Sequence, residues 1–231
     1  MKVELCAASI ESIQLAKKYG IDRIELCQNL EQGGVTPSIG FIEYALKSGV
    51  ETHVLIRPRP GGFQYTNEEV GIVLRNIQEC KMIGVHGVVV GVLSHDGLIN
   101  EDVLGLMRDL AKDMELTFHR AFDDTFAYDA SLDSLIHFGV DRVLSSGLAN
   151  NVDSGMLTLS KMKSYAKGRI EIMPGGGVNL SNISEILKQV SPDAIHFSGT
   201  QPELLDPISK FSEHVLKVNE ERVIRLLNEL R

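Results

Sequence analysis

Short apolar runs alternate along the chain with longer stretches whose apolar residues recur at helical spacing. Eight runs, at 3–7, 23–27, 52–57, 87–92, 116–120, 142–146, 170–174 and 194–198, read as strands. Near-continuous Val, Ile and Leu is what a strand covered on both faces of a parallel sheet requires. Between them, segments such as Ser12 to Tyr19, Asn67 to Ile83 and Leu157 to Ala166 keep a helical period. The junctions repeat: Gly20-Ile21-Asp22-Arg23, Gly84-Val85-His86-Gly87 and Gly139-Val140-Asp141-Arg142 each follow a helical segment and lead into a strand, with Ser191-Pro192-Asp193-Ala194 a looser copy. Glycine there is the expected left-handed cap of the preceding helix.

Strict alternation of strand and helix, eight times, predicts a single α/β domain, a (β/α)8 barrel of the TIM type. An open doubly wound sheet is the structural alternative. It usually carries a Gly-rich first strand-to-helix turn, and Ala7-Ala8-Ser9 is not one. The barrel core is expected over residues 1–200. Residues 201–231 are expected to add a closing helix from near Phe211 to Leu230.

Charge narrows the partners. With 23 Lys and Arg against 31 Asp and Glu, the 231-residue chain carries a formal charge of −8, which disfavours nucleic acid and anionic membrane surfaces. The apolar stretch Val85 to Leu93 is too short to span a bilayer. Three cysteines and a charged start, Met1-Lys2-Val3-Glu4, fit free thiols in a reducing compartment, so a cytoplasmic location is expected.

Candidate chemistry begins with a duplicated pattern. Val3-Glu4-Leu5-Cys6 and Ile24-Glu25-Leu26-Cys27 each put a carboxylate and a thiol two positions apart, hence on one face of a strand. A charge in a buried strand is costly unless paired or working. In a barrel of this type chemistry sits where the strands end. Those ends bring Arg57 and Arg59, then His119, Arg120 and Asp123, then Ser146, then Gly175, Gly176 and Gly177, then His196 and Ser198. Glu4, Glu25, Arg57 and His119 are expected to point inward near one level.

Two readings of that crowding stand side by side. One is a buried ion-pair network in which Arg57 neutralises a carboxylate. The other is an acid/base site, with His119 and Glu25 as acid and base, Glu4 and Arg57 tuning them, and Arg57 and Arg59 clamping an anion. The loops at Gly175–Gly177 and Ser198-Gly199-Thr200 either hold a phosphate or simply turn the chain. Arg120, Asp123, Ser146 and His196 complete that ligand-binding set.

Cys6 and Cys27 end neighbouring strands and are either two small packed hydrophobes or a soft pair suited to Cu(I). Bridging one ion needs sulfurs about 4–5 Å apart. Cys80 lies in a helical segment and is expected to pack. His53 sits at the far end from the active face, and His86 and His137 are expected in solvent. His95 lies on the loop after the fourth strand and can touch a ligand.

Taken in order, these motifs resemble the CutC family of copper homeostasis proteins. The segments that carry the resemblance are Glu4-Leu5-Cys6, Arg23-Ile24-Glu25-Leu26-Cys27, Gly33-Gly34-Val35-Thr36-Pro37-Ser38, Ile56-Arg57-Pro58-Arg59, Phe118-His119-Arg120-Ala121-Phe122-Asp123, Ser145-Ser146-Gly147, Met173-Pro174-Gly175-Gly176-Gly177 and Ile195-His196-Phe197-Ser198. The resemblance implies a TIM-like barrel, a cytoplasmic protein and Cu(I) handling by the thiols matching Cys6 and Cys27; Met173 or His119 is then the expected third ligand. One departure is Gly62, which takes a place usually acidic in the family. The expected partners are a copper ion or a small anionic metabolite, and a second copy in a homodimer. The alternative function is a lyase or isomerase acting on a phosphorylated or carboxylated substrate.

Overall fold

Three of the four repeated junctions carry an Asp, and the structure shows what that Asp does; in the fourth, His86 Nδ1 accepts the Thr52 N–H at 3.1 Å in the same way. Asp22 accepts the Val3 N–H at 2.8 Å, Asp141 the Leu116 N–H at 2.8 Å and Asp193 the Ile172 N–H at 2.9 Å. In each case the connector entering one strand clamps the start of the strand before it. The repeat is therefore a backbone-satisfying device at the base of the sheet.

The structure is a computed structural model and describes residues 1–210 and 212–231. Eight parallel strands, β1 (Lys2–Ala7), β2 (Arg23–Leu26), β3 (Glu51–Leu55), β4 (Gly87–Val90), β5 (Glu115–Phe118), β6 (Arg142–Ser145), β7 (Glu171–Pro174) and β8 (Ala194–Phe197), follow the runs read from sequence. Their order is β7-β6-β5-β4-β3-β2-β1-β8. At the remaining seam Asp193 donates its N–H to Ile172 O at 3.2 Å, so the barrel is nearly closed. Seven helices alternate with the strands: α1 (Ile10–Tyr19), α2 (Ile39–Ser48), α3 (Asn67–Ile83), α4 (Glu101–Leu110), α5 (Tyr128–His137), α6 (Val152–Ala166) and α7 (Ile183–Val190). Gly20 and Gly84 cap α1 and α3 with φ of 62° and 80°, in the left-handed region that glycine enters without strain.

The apolar core is the layer between sheet and helices. Val3, Leu5, Ile24, Leu26, Val54 and Ile56 face it. The alternate residues face the barrel axis, where charges are packed unusually densely for an interior. Cys80, on α3, is buried in the core layer as expected.

The C-terminal segment departs from expectation. Strands β9 (Thr200–Leu205) and β10 (Glu213–Val218) form an antiparallel hairpin, and the last helix, α8, spans only Glu220–Leu230. Phe211, the expected helix start, lies outside the described residues. The run Glu213-His214-Val215-Leu216-Lys217-Val218 has no clean helical period, and pairing with β9 decides its conformation. Helix α8 does cover the barrel flank, burying Val223, Leu226 and Leu227 and tying Glu220 to Lys18 at 2.7 Å.

Candidate functional site

Two groups of polar side chains share the barrel axis, one at the base and one at the mouth. At the base, Arg23 and Arg142 are the largest fully buried side chains. Arg23 Nε donates to Glu4 at 2.5 Å, and its Nη1 lies 3.5 Å from Glu51 and 3.7 Å from Glu115. Arg142 reaches Glu115 at 2.9 Å and Glu171 at 2.6 Å. His53 sits between Glu51 and Glu115, with Nε2 3.4 and 3.7 Å from them. Burial lowers the pKa of His53, so its ring stays neutral among the two guanidinium groups. Burial works against charge on Glu4 too, but the His196 hydrogen bond and the Arg23 charge hold its carboxyl well below the usual range.

This network answers the ion-pair reading, with different cations. Arg57 neutralises no carboxylate. Its guanidinium donates to the carbonyls of Gln32 (3.1 Å), Gly34 (2.8 Å) and Gly61 (2.7 Å) and lies over the Phe63 ring. It pins two rim loops together. The cations that do pair, Arg23 and Arg142, are the residues sequence reasoning passed over. The signal was present: Arg23 and Glu25 differ by two positions, and Arg142 occupies the same place in the repeated Asp-Arg junction.

At the mouth a cavity of about 340 Å³ is lined by Cys6, Glu25, Arg57, His119, Arg120 and His196, with Gly176, Gly177 and Ser198 at the side of β7 and β8. The register explains the grouping. Cys6 is the lateral neighbour of Glu25 across β1 and β2, and Glu4 the neighbour of His196 across β1 and β8. Of the four residues expected at one level, Glu25, Arg57 and His119 line the cavity. Glu4 lies one pleat below, where it accepts from His196 Nδ1 at 2.7 Å.

Glu25 is only 6% exposed, and its Oε2 has no hydrogen-bond partner. Burial pushes its pKa up to about 7, with the Glu4 charge adding to that and the His196 and Arg23 charges opposing it. Burial opposes charge on His196, but the Glu4 hydrogen bond and the Glu25 and Glu4 charges prevail and raise its pKa. His119 behaves oppositely. Burial and the Arg57 charge push it down to about 3, and its Nδ1 accepts from Ala121 N–H at 3.0 Å. A neutral imidazole with one nitrogen committed is a poor proton donor at neutral pH. A Cβ on Gly91 would stand 2.1 Å from the His119 ring, so that glycine makes the room.

The thiols of Cys6 and Cys27 are 3.8 Å apart. Cys6 faces the cavity, whereas Cys27 lies behind it, 1% exposed, against Leu55 and Val89. The Cys27 hydrogen bond, burial and the nearby carboxylates raise the Cys6 pKa well above the usual thiol value. Met173 is not available as a third donor, because it is fully buried and its sulfur accepts from Arg23 at 3.6 Å. The donor atoms that do gather at Cys6, within 4.8 Å of one another, come from Glu25 and His196 and not from His119.

The other expected ligand residues divide. Arg120 lines the cavity and donates to Asp123 at 2.9 Å and to Ser146 Oγ at 2.8 Å. A Cβ on Gly176 (φ 90°) would meet its guanidinium at 2.8 Å, so this glycine lets Arg120 lie across the loop. Asp123 and Ser146 sit behind the rim as scaffold. Asp123 accepts from Ser145 Oγ at 2.6 Å, Ser146 N–H at 3.0 Å and Leu148 N–H at 3.1 Å. Gly175 is buried under the loop. Arg59 faces away, paired with Glu69 at 2.5 Å. His95 touches Gln64 at 3.1 Å beside a neighbouring hollow, and His86 and His137 are exposed. Among the described residues no helix is long and apolar enough to cross a membrane.

Comparison with known proteins gives one consistent answer. Residues 1–201 match the profile of the CutC family. The chain is similar to a family protein CutC from Glaesserella parasuis serovar 5 (strain SH0165), 41% identical over 212 residues covering 90% of this chain and 87% of that one. It is similar to a copper homeostasis protein cutC homolog from Homo sapiens, 35% identical over 240 residues, covering 98% and 87%. Among solved structures, one named for the copper homeostasis protein CutC from Streptococcus agalactiae superposes with a TM-score of 0.79 at 31% identity, over 85% of this chain and 97% of that one.

Proposed function

The chain belongs to the CutC family, and from that premise we propose that it serves copper homeostasis in the cytoplasm by binding Cu(I) between Cys6 and Cys27. The observation that carries this reading is the 3.8 Å separation of the two sulfurs. Two metal–sulfur bonds of roughly 2.3 Å spanning that gap meet at about 110°, bent rather than linear, which calls for a third donor. Soft thiol sulfur selects Cu(I) over hard cations. Cu(I) enters from the cavity side at Cys6 and displaces the protons the thiols hold, so binding strengthens as pH rises.

The test is an anaerobic competition titration against a chromophoric Cu(I) chelator. One Cu(I) per chain is expected, with Cys6→Ser and Cys27→Ser each weakening it more than tenfold, about 1.4 kcal/mol. Unchanged affinity in both variants would refute the reading.

A second reading, a small-molecule enzyme, is favoured by one observation: Glu25 titrates near neutrality in a cavity rimmed by Arg120, Gly176, Gly177 and Ser198. A carboxyl poised there suits proton transfer on an anionic substrate. His119, with its low pKa, is not its partner acid in this version. That role falls to His196, whose pKa the Glu4 hydrogen bond and the Glu25 and Glu4 charges raise against the effect of burial.

A further inference from the structure

Glu25 presents a problem that the Cu(I) pair leaves open. Its carboxylate is nine-tenths buried, one oxygen lacks any partner, and Arg23, whose charge acts on it, is spent on Glu4 at the base. A buried carboxyl is ordinarily paired or metal-bound. Around it stand the other two donors a metal would need. Cys6 Sγ and a ring nitrogen of His196 lie with a Glu25 oxygen inside a 4.8 Å cluster. Glu4 holds His196 Nδ1 at 2.7 Å, which leaves Nε2 as the free donor. That is the carboxylate–imidazole arrangement that orients a metal-binding histidine and raises its basicity.

We propose that Cys6 Sγ, a Glu25 carboxylate oxygen and His196 Nε2 form a three-ligand site for one divalent transition-metal ion of the Zn2+ class, with a fourth position open to the mouth cavity. Sulfur and imidazole exclude Mg2+ and Ca2+, which take oxygen ligands. Three mixed donors and an open position are the pattern of reactive rather than structural zinc sites. Charge balances as well. A thiolate and a carboxylate match the ion, His196 binds neutral, and the displaced protons leave through the cavity. Tetrahedral coordination with bonds of about 2.0–2.3 Å sets donors roughly 3.3–3.8 Å apart, so the side chains close by about an ångström.

Glu51, His53 and Glu115 form the other such cluster among the described residues, but Arg23 and Arg142 already occupy its carboxylates and repel a cation. The mouth cluster has no such competitor. Its occupancy makes Glu25 a ligand and removes it from the proton-transfer role of the enzyme reading. Cys27 takes no part, so this site shares only Cys6 with the Cu(I) pair, and the two ions exclude one another at that sulfur.

The experiment titrates reduced, metal-free protein with Co2+ and follows near-ultraviolet sulfur-to-cobalt charge transfer and visible bands of four-coordinate Co2+, then displaces the ion with Zn2+. Expected are one ion per chain and a sulfur charge-transfer band. Cys27→Ser should keep the affinity within about threefold, while Glu25→Gln, Cys6→Ser and His196→Asn each weaken it about tenfold or more, the scale of one lost coordination contact. Circular dichroism melts confirm that each variant is folded, and the wild-type spectrum stands whatever they show. A wild-type spectrum without sulfur charge transfer, or Glu25→Gln binding like wild type, overturns the proposal. Loss of Co2+ binding in Cys27→Ser overturns it too. Loss of Cu(I) binding in Cys27→Ser with Co2+ binding intact supports a three-ligand site that shares Cys6 with the Cu(I) pair but does not need Cys27.

Discussion

The base and the mouth of the barrel are built from the same residue types and put to opposite use. At the base, Arg23 and Arg142 share their guanidinium groups among Glu4, Glu51, Glu115 and Glu171 at short distances, so every carboxylate there has a cation beside it. Neither ring nitrogen of the neutral His53 has a well-aligned hydrogen-bond partner. At the mouth, Glu25 keeps an unpartnered oxygen, His119 Nε2 has no partner, and Arg57 is spent on carbonyls. A buried polar group left unmatched costs stability. Where one core holds both, the end whose carboxylates are paired with guanidinium groups holds the fold, and the end with an unpaired carboxylate is the place to look for chemistry.

The sharpest way to break this contrast is to unbalance the base. Glu4→Gln leaves Arg23 buried beside a neutral amide and is expected to destabilise the fold by about 3–5 kcal/mol, measured by urea denaturation. Replacing the pair together by apolar residues of similar volume should cost much less. A small loss in Glu4→Gln alone would mean the network carries little of the fold.

The corresponding change at the mouth should go the other way. The Glu25 carboxyl is raised to about 7 in the fold from an ordinary value near 4.5. Between those pH values the folded chain holds a proton the unfolded chain has lost, so stability falls as pH rises through this window. Metal-free Glu25→Gln is therefore expected to be more stable than wild type by about 1–3 kcal/mol at pH 8 and nearly equal at pH 4. Equal stability at both would show that Glu25 carries no such strain.

Acid should act on the base. Glu51 is lowered to about 2, chiefly by its His53 hydrogen bond, and Arg142 lowers Glu115 against the effect of burial. Both contribute stability that is present above about pH 4.5 and lost as pH falls through their folded values. Since both are partly exposed, Glu51→Gln should cost only about 1 kcal/mol at pH 7, and that cost should shrink steadily as pH falls toward the folded value of about 2. The smallest effect is expected at Arg59, paired with Glu69 on the outer rim. Arg59→Ala should leave Cu(I) affinity unchanged and cost about 1 kcal/mol or less, and a large loss of affinity would draw the rim into the site.

The barrel was legible because two periodicities and a repeated junction all point to it, and each junction Asp proves to hold a strand end. The thiol–carboxylate duplication was legible for the same reason, since period-2 spacing fixes the face a side chain takes. Level and partner were not. Glu4 and Glu25 occupy like positions in their runs, yet the stagger of β1 against β2 sets Cys6, not Glu4, beside Glu25. Arg57 and Arg59 read as anion clamps because local sequence cannot show that Gln32, Gly34 and Gly61 carbonyls, or Glu69, claim them first. The hairpin of β9 and β10 was hidden because its pairing is non-local and its pattern fits no single period.

X-ray absorption at the copper edge of the anaerobically loaded protein reads the copper ligands themselves. Cu(I) is expected to show two sulfur neighbours at about 2.2–2.3 Å, reduced to one in Cys27→Ser. Copper surrounded by nitrogen and oxygen alone, or a sulfur shell indifferent to Cys27→Ser, would contradict Cu(I) binding between the two thiols.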